Sequence, residues 1–127
     1  MEFEQDKSIY AQIAEKIVEN ILDGVWEEGA RIPSVRELAV ALEVNPNTVA
    51  RAYNHLQSLE VIYNRRGIGY FVSEEGLNKA AAMKKSEFIE KELPHFFRTL
   101  SMLHIEIPEI EERYRNFLKQ EKYSENE

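Results

Sequence analysis

The fold of this chain is decided by residues 32–72, IPSVRELAVALEVNPNTVARAYNHLQSLEVIYNRRGIGYFV. Ser34, followed three residues later by Glu37, is a capping box and marks the start of a helix. A tight turn precedes a second helix, which is predicted to begin with Asn45 as its N-cap. Pro46 then takes the first helical position, where its missing N–H costs nothing. Two short helices joined by such a turn are typical of a helix-turn-helix, whose second helix enters the DNA major groove.

The second helix has an apolar face and a polar face. Five apolar side chains at helical spacing are predicted to be buried: Val49, Ala52, Tyr53, Leu56 and Leu59. On the polar face, Asn47 can bond an adenine edge, and Thr48 can offer a base its hydroxyl or its methyl group. Arg51 follows one turn after Asn47, so we expect both to project from the same side. The N–H groups of Asn47 and Thr48 also suit a phosphate oxygen. An ordinary solvent-exposed helix face would have a similar composition. The neighbouring elements are therefore needed to decide whether this face binds DNA.

A β-hairpin with a basic loop follows the two helices. Residues 61–63 and 69–72 are predicted strands, and residues 64–68 are the predicted loop. Arg65 and Arg66 place two permanent positive charges there, while glycines at 67 and 69 allow a positive φ or a close backbone approach. A helix-turn-helix with such a hairpin is a winged helix, whose wing typically holds phosphates or a minor groove.

Three segments, IPSVRELA, VNPNTVARAY and RRGIGYFV, resemble the DNA-binding domain of GntR-type bacterial transcription factors. The asparagine-proline-asparagine-threonine entry to the second helix is most similar to the YtrA-like subclass. The resemblance covers residues 8–72 and implies DNA binding through the arginine after the PS motif, the start of the second helix and the wing. This resemblance implies DNA contacts by Arg36, Asn45, Asn47, Thr48, Arg51, Arg66 and Gly67. With the capping residue Ser34 and the wing residue Arg65, these are the residues that we predict to bind DNA. Pro46 and Ala50 stand where the commoner family form has arginine, so we do not expect the family's usual operator sequence.

Composition indicates an ordinary globular protein of one or two small domains. The chain has 127 residues, of which 43% are hydrophobic and 31% charged. The absence of cysteine excludes disulfides and thiolate metal ligands. The longest uncharged run, residues 52–59, is too short to span a bilayer, and the acidic start MEFEQDK does not resemble a signal peptide. We therefore expect a cytoplasmic protein without membrane contact.

The net charge of −7 argues against a polyanionic partner unless the charges are segregated. Residues 1–30 contain two lysines and eight acidic residues, and residues 73–127 contain nine basic and twelve acidic residues. Residues 31–72 contain five arginines and only three acidic residues, so this segment alone is net positive. Few phosphates would be neutralised per subunit, which predicts modest non-specific DNA affinity.

Helices are predicted on both sides of the winged helix. The first runs from Ser8 to Gly24, with Ser8 as its cap and a buried stripe at Ile9, Ile13, Ile17 and Ile21. We assign residues 1–73 to a DNA-binding domain and residues 74–127 to a helical dimerisation region. The fold class is therefore α+β, mainly α. In the second part, Pro94 predicts a kink or a fresh helical segment, and a last helix is expected from Ile107.

The C-terminal region is too small to bury its large apolar side chains alone, which favours pairing with a second copy. The side chains expected at this interface are Phe88, Phe96, Phe97, Leu100, Tyr114 and Phe117, with Ile110 and Leu118 also on the buried face of the last helix. A monomer whose helices fold back on the winged helix is the alternative. A small-molecule effector lodged against Phe96 and Phe97 is a further hypothesis, with plain core packing as the other interpretation.

No motif for catalysis is present: there is no P-loop, dinucleotide fingerprint or nucleophile motif, and the three histidines are scattered. We expect no enzyme activity, no cofactor and no metal. The sequence predicts a homodimeric regulator of transcription that binds a palindromic site on double-stranded DNA, more simply as a repressor than as an activator. The alternative is a winged helix that binds a protein partner instead of DNA.

Overall fold

The structure, a computed structural model, describes residue 3 and residues 8–125. Its elements, in chain order, are α1 (Ile9–Leu22), α2 (Val35–Leu42), α3 (Pro46–Ser58), β1 (Ile62–Arg65), β2 (Gly69–Val72), α4 (Gly76–Glu87), a π-helical turn (Phe88–Glu92), α5 (Leu93–Leu103) and α6 (Ile107–Glu125). Two compact units contain them, Met1–Lys85 and Ser86–Glu127. The fold is mainly helical with one two-stranded wing, as the sequence predicted.

Both predicted helix caps of the helix-turn-helix are present. The N–H of Glu37 donates to Ser34 Oγ at 3.1 Å, and the N–H of Ser34 donates to Glu37 Oε1 at 3.3 Å, which completes the capping box. Glu43 ends α2 in the left-handed conformation (φ 57°). Asn45 Oδ1 then accepts the N–H of Asn47 at 2.8 Å and starts α3. The turn between the helices is therefore set by contacts within a few residues.

The core of the first unit lies where α1 and α3 pack against the wing. Its largest fully buried side chains are Tyr53, Ile13, Ile17, Ile32, Leu56, Ile62, Val18, Val49, Val61 and Val72. Two predicted core residues are wrong. Ile9 is 45% exposed, because side chains of a first helical turn point back past the end of the helix. Leu59 is 38% exposed, because it is the non-helical C-cap of α3 and so leaves the helical periodicity.

The first helix ends as predicted but does not start with the expected side-chain cap. Gly24, just past the end of α1, has a φ of 79°, which suits a helix-terminating glycine. Ser8 is the N-cap residue of α1, but its side chain makes no capping hydrogen bond. Ser8 is therefore at the predicted N-cap position, but the side-chain hydrogen bond that usually accompanies a cap is not formed.

Tyr53 joins three parts of the first unit. Its side chain is fully buried, and its hydroxyl donates to the carbonyl oxygen of Pro33 at 2.6 Å. Its ring meets the ring of Tyr70 edge-on, with 4.8 Å between centroids. Burial raises the pKa of the Tyr53 phenol well above its ordinary value. This one residue of α3 thus holds the lead-in to α2 and the second wing strand.

The wing is an antiparallel hairpin in which Ile62 pairs with Val72 and Arg65 pairs with Gly69. Strand β1 extends through Arg65, so residues 64 and 65 lie in the strand and not in the predicted loop. A third backbone segment joins the outer edge of β2, where Arg31 forms a single β-bridge with Phe71. The wing therefore has a backbone neighbour on its second strand.

Helix α4 packs on the first unit through Ala80, which is fully buried. Lys84 lies near its end, where Lys84 Nζ is 3.2 Å from Glu15 Oε1 and 3.6 Å from Glu19 Oε1. These contacts attach α4 to α1.

Pro94 does not interrupt the helical backbone. Glu87, Glu92 and Leu93 all keep right-handed helical angles around the π-helical turn. Pro94 has no N–H to donate, and the wider turn ends just before the new segment α5. Helix α5 thus starts next to Pro94, as predicted for a new segment, but a π-helical turn that was not predicted joins it to α4 without a break in helical backbone angles.

The second unit leaves much of its apolar surface exposed. In α6, which starts at Ile107 as expected, Tyr114 and Phe117 are exposed and Ile110 is half-buried. The predicted buried face of this helix is not buried within one chain. Among the described residues, no helix is both long enough and apolar enough to cross a membrane.

Candidate nucleic-acid interface

The first turn of α3 presents side chains, not free amides, to its surroundings. Asn47 is exposed and Thr48 is half-buried. However, the N–H of Asn47 already donates to Asn45 Oδ1, and the N–H of Thr48 donates to the carbonyl oxygen of Asn45 at 3.0 Å. The expectation that these two amides are free for a phosphate is therefore wrong. Any base or phosphate contact here must come from the Asn47 and Thr48 side chains.

Arg51 lies against α1. Its guanidinium carbon is 4.1 Å from the centre of the Tyr10 ring, a cation–π contact. The same ring meets His55 edge-on, with 6.2 Å between centroids. The Arg51 guanidinium is thus supported by a ring of α1, a contact that the sequence did not predict. In this position its free edge is suited to a phosphate of the DNA backbone.

Ser34 and Arg36 lie at the start of α2. The oxygen of Ser34 accepts the capping hydrogen bond from Glu37, while its hydroxyl hydrogen remains able to donate to another acceptor. Arg36 is exposed. The arginine after the PS motif is therefore directed to solvent from a helix whose first turn is fixed by its cap.

The wing carries its charges at and beside its tip. Arg65 lies in β1, with its guanidinium carbon 5.5 Å from the centre of the Phe71 ring. Arg66 and Gly67 form the turn, and Gly67 has a φ of 81°, which L-residues rarely adopt. Ile68 is 49% exposed. The tip is therefore a glycine-shaped turn with one exposed apolar side chain and two arginines.

The arginines of residues 31–72 share one electrostatic property. Within the part of the chain that the structure describes, none of them forms an ion pair with a carboxylate. The basic residues that do so are Lys79, Lys84, Arg113 and Arg115, outside this segment. Unneutralised guanidinium groups on a folded surface are what a phosphate backbone requires. The charge segregation seen in the sequence is thus preserved in the fold.

Two residues near this surface were missed by sequence reasoning. Tyr10 supports Arg51, and Arg31 lies beside the wing with its guanidinium against Gly69. Both contacts join residues about 40 positions apart, so no local pattern could reveal them. The only available signal was the charge of Arg31 within the net-positive segment.

The predicted interface side chains of the second unit differ in exposure. Phe88, Phe96, Phe97, Tyr114 and Phe117 are all between 40% and 60% exposed. Leu100 is only 5% exposed, so it already packs within its own chain. The described residues contain no group of three or more His, Cys, Asp or Glu side chains placed to hold a metal ion.

Comparison with known proteins gives a consistent result. Residues 9–72 match the family described as bacterial regulatory proteins, gntR family. The transcriptional repressor YtrA of Bacillus subtilis is 44% identical over 66 residues, which are 52% of this chain and 51% of that protein. The aligned regions span 51% and 61% of the length of two curated relatives.

Two solved structures extend the comparison. A GntR-family transcriptional regulator from Bacteroides thetaiotaomicron is 48% identical with a TM-score of 0.76, covering 90% of this chain and 99% of that one. The N-terminal domain of AraR, in complex with the mutant operator ORR3, is 31% identical with a TM-score of 0.53, covering 55% of this chain and 100% of that one. The family match runs from α1 to the end of the wing. The chain therefore belongs to the GntR family of bacterial regulatory proteins, and residues 9–72 are its winged helix-turn-helix DNA-binding region.

Proposed function

We propose that this protein is a transcriptional repressor that binds a palindromic operator as a homodimer. DNA binding is assigned to residues 1–73 and dimerisation to residues 74–127, and the protein acts in the cytoplasm, where bacterial operators lie. Members of this family are regulators, and the protein is not an enzyme. The observation that carries the proposal is the set of arginines on the winged helix that form no ion pair with any described carboxylate.

The roles on this surface follow from chemistry and position. Asn47 and Thr48 lie in the first turn of α3 and, in this proposal, read base edges in the major groove. Arg36 and Arg51 hold phosphates on either side of that groove, because a guanidinium pairs well with phosphate oxygens. The wing arginines and Gly67 complete the contact with the backbone or the adjacent minor groove. Ser34 and Asn45 act mainly as the caps that fix the two helices.

A second copy of the chain is the occupant we assign to the apolar surface of the second unit. Along α6, Ile107, Ile110, Tyr114 and Phe117 recur at spacings of three and four residues, as in a helical packing seam. Clustered exposed apolar side chains of this kind mark an interaction surface. A twofold axis through it makes the same surface complementary to itself, and the resulting dimer contains two copies of α3.

Repression is favoured over activation for two reasons. A dimer that occupies an operator can block transcription without contacting the polymerase. In addition, YtrA of Bacillus subtilis, to which half of this chain is similar, is a repressor.

The test is selection of duplex DNA from a random pool by the purified protein near physiological salt. We expect an enriched inverted repeat whose half-sites are separated by about one helical turn or a multiple of it. The Asn47→Ala/Arg51→Ala variant should lose the enrichment. The control variant Lys79→Gln, which removes a cation already paired with Glu60 at 3.4 Å, should keep it. A folded dimer that enriches no sequence would refute specific DNA binding.

Dimerisation is tested by sedimentation of the full chain across the micromolar range. The wild type should sediment as a dimer. Phe117→Ser should sediment as a monomer that keeps its helical circular dichroism, because this ring is 53% exposed within one chain and its loss removes little intrachain packing. The control Lys122→Ser, on the same helix, should remain dimeric. A monomeric wild type at the highest concentration would contradict the proposal.

A further inference from the structure

The outer face of the wing is distinct from the face that packs on the core. Ile62 and Val72 pair with each other and are buried, so the residues that alternate with them point away from the core. On this outer face, Arg65 pairs directly with Gly69, and Phe71 follows two residues later. At this cross-strand pair, β1 has the arginine side chain and β2 has none, because Gly69 has no side chain.

Arg31 fills the space above that glycine. Its backbone joins the edge of β2 at Phe71, so its side chain lies on the same outer face. A Cβ atom built on Gly69 would lie 3.0 Å from Arg31 Nε and 3.5 Å from Arg31 Cζ. Gly69 also has a φ of 144°, which L-residues rarely adopt. The glycine is therefore the position across which the Arg31 guanidinium lies.

Both guanidinium groups therefore lie on this outer face, that of Arg31 against Gly69 and that of Arg65 near the Phe71 ring. Arg65 is the direct cross-strand partner of Gly69, the residue over which the Arg31 guanidinium lies, and it is therefore the residue of β1 that faces Arg31 across β2. Neither Arg31 nor Arg65 has a carboxylate partner among the residues that the structure describes. Two like charges held beside each other repel, and an anion that touches both removes that cost. The backbone bridge and the Phe71 ring keep the two side chains in place in its absence.

We infer that Arg31 and Arg65 together bind one phosphate of the DNA backbone, with Gly69 as the residue that positions Arg31. The inference rests on the proposed function and adds Arg31 to its binding residues. A phosphodiester fits because its two free oxygens accept the forked N–H donors of guanidinium groups. A base edge does not fit as well, because base reading needs side chains that enter a groove, whereas Arg31 lies flat along the sheet.

The test compares the salt dependence of binding by the wild type and Arg31→Gln, with both the selected operator and a random duplex. A phosphate contact predicts severalfold weaker binding to both duplexes by the same factor. The slope of log affinity against log salt should fall by less than about 1, because Arg65 still contacts the shared phosphate. The melting temperature should not change, because Arg31 is exposed and forms no ion pair with the residues that the structure describes. Lys79→Gln is the control and should leave the slope unchanged.

The double variant Arg31→Gln/Arg65→Gln decides whether the phosphate is shared. A shared phosphate predicts a total loss of slope of about 1, whereas two separate phosphates predict about 2 and would overturn the shared site. Gly69→Ala should reproduce the effect of Arg31→Gln, and combining the two should add little, because the methyl group displaces the same guanidinium.

Other outcomes separate this inference from the proposed function. If the wild type binds its operator and Arg31→Gln binds with the same affinity and slope, the Arg31 inference fails and the proposed DNA-binding function is unaffected. If Arg31→Gln loses the discrimination between operator and random duplex, Arg31 reads bases and the inference also fails. If the wild type binds no duplex, both are overturned.

Discussion

Removing the hydroxyl of Tyr53 should destabilise the protein at neutral pH and leave it relatively more stable at high pH. The hydroxyl donates to the carbonyl oxygen of Pro33 at 2.6 Å, from a side chain that is fully buried. Tyr53→Phe keeps the ring and its edge-on contact with Tyr70 but leaves the carbonyl without this donor. A hydrogen bond lost in this way costs about 1 kcal/mol of unfolding free energy at pH 7.

The difference in unfolding free energy between wild type and Tyr53→Phe changes sign at high pH, because burial raises the pKa of the Tyr53 phenol in the folded state. An unfolded tyrosine ionises with a pKa of about 10, so above that pH the unfolded wild type releases a proton that the folded state retains. This stabilises the unfolded wild type by about 1.4 kcal/mol at pH 11. Tyr53→Phe has no such proton, so its deficit of about 1 kcal/mol should vanish between about pH 10 and 11 and become a small advantage at pH 11.

The assay is urea unfolding of wild type and variant at pH 7, 9 and 11, at equal protein concentrations, followed by circular dichroism. Ionisation of the other groups is common to both proteins and cancels in the difference. Tyr63→Phe, at an exposed ring stacked on Phe71, is the matched control and should differ from wild type by less than about 0.5 kcal/mol at pH 7. A Tyr53→Phe deficit that stays constant or grows with pH would refute the reasoning.

Three other substitutions test the geometry of the winged helix. Asn45→Ala removes the cap of α3 and should cost about 1 kcal/mol and weaken operator binding, whereas Asn45→Ser should retain both in melting and gel-shift assays. Gly76→Ala places a Cβ 2.8 Å from the carbonyl oxygen of Val61 and should cost about 1–3 kcal/mol; a wild-type melting temperature would contradict the close approach. Tyr10→Leu removes the ring beneath Arg51 and should weaken binding of both specific and random duplexes, while Tyr10→Phe should bind as wild type does.

Features set by neighbouring residues could be predicted from the sequence. The capping box at Ser34, the Asn45 cap and the two wing strands depend on residues within a few positions of one another, and all three are present. The errors at Ile9 and Leu59 arise at helix ends, where periodicity alone does not show where the core stops.

Features set by distant residues could not be predicted. The direction of Arg51 depends on Tyr10 of another helix, and the place of Arg31 depends on the outer edge of β2. The π-helical turn before Pro94 was also missed, because a proline predicts a missing hydrogen bond and not how the backbone adapts to it. Side-chain identities on the candidate site could thus be predicted, but their neighbours and directions could not.

All five cations between residues 31 and 72 are arginines, and this choice fixes the charge of the proposed DNA-binding surface. A guanidinium stays protonated at every pH a cell experiences, and lysine acetylation has no target in this segment. The same difference between arginine and lysine determines which chemical labelling reagents modify this surface. Amine-reactive dyes or supports attach through lysines elsewhere in the chain and leave this surface unmodified, whereas arginine-selective dicarbonyl reagents act on it directly.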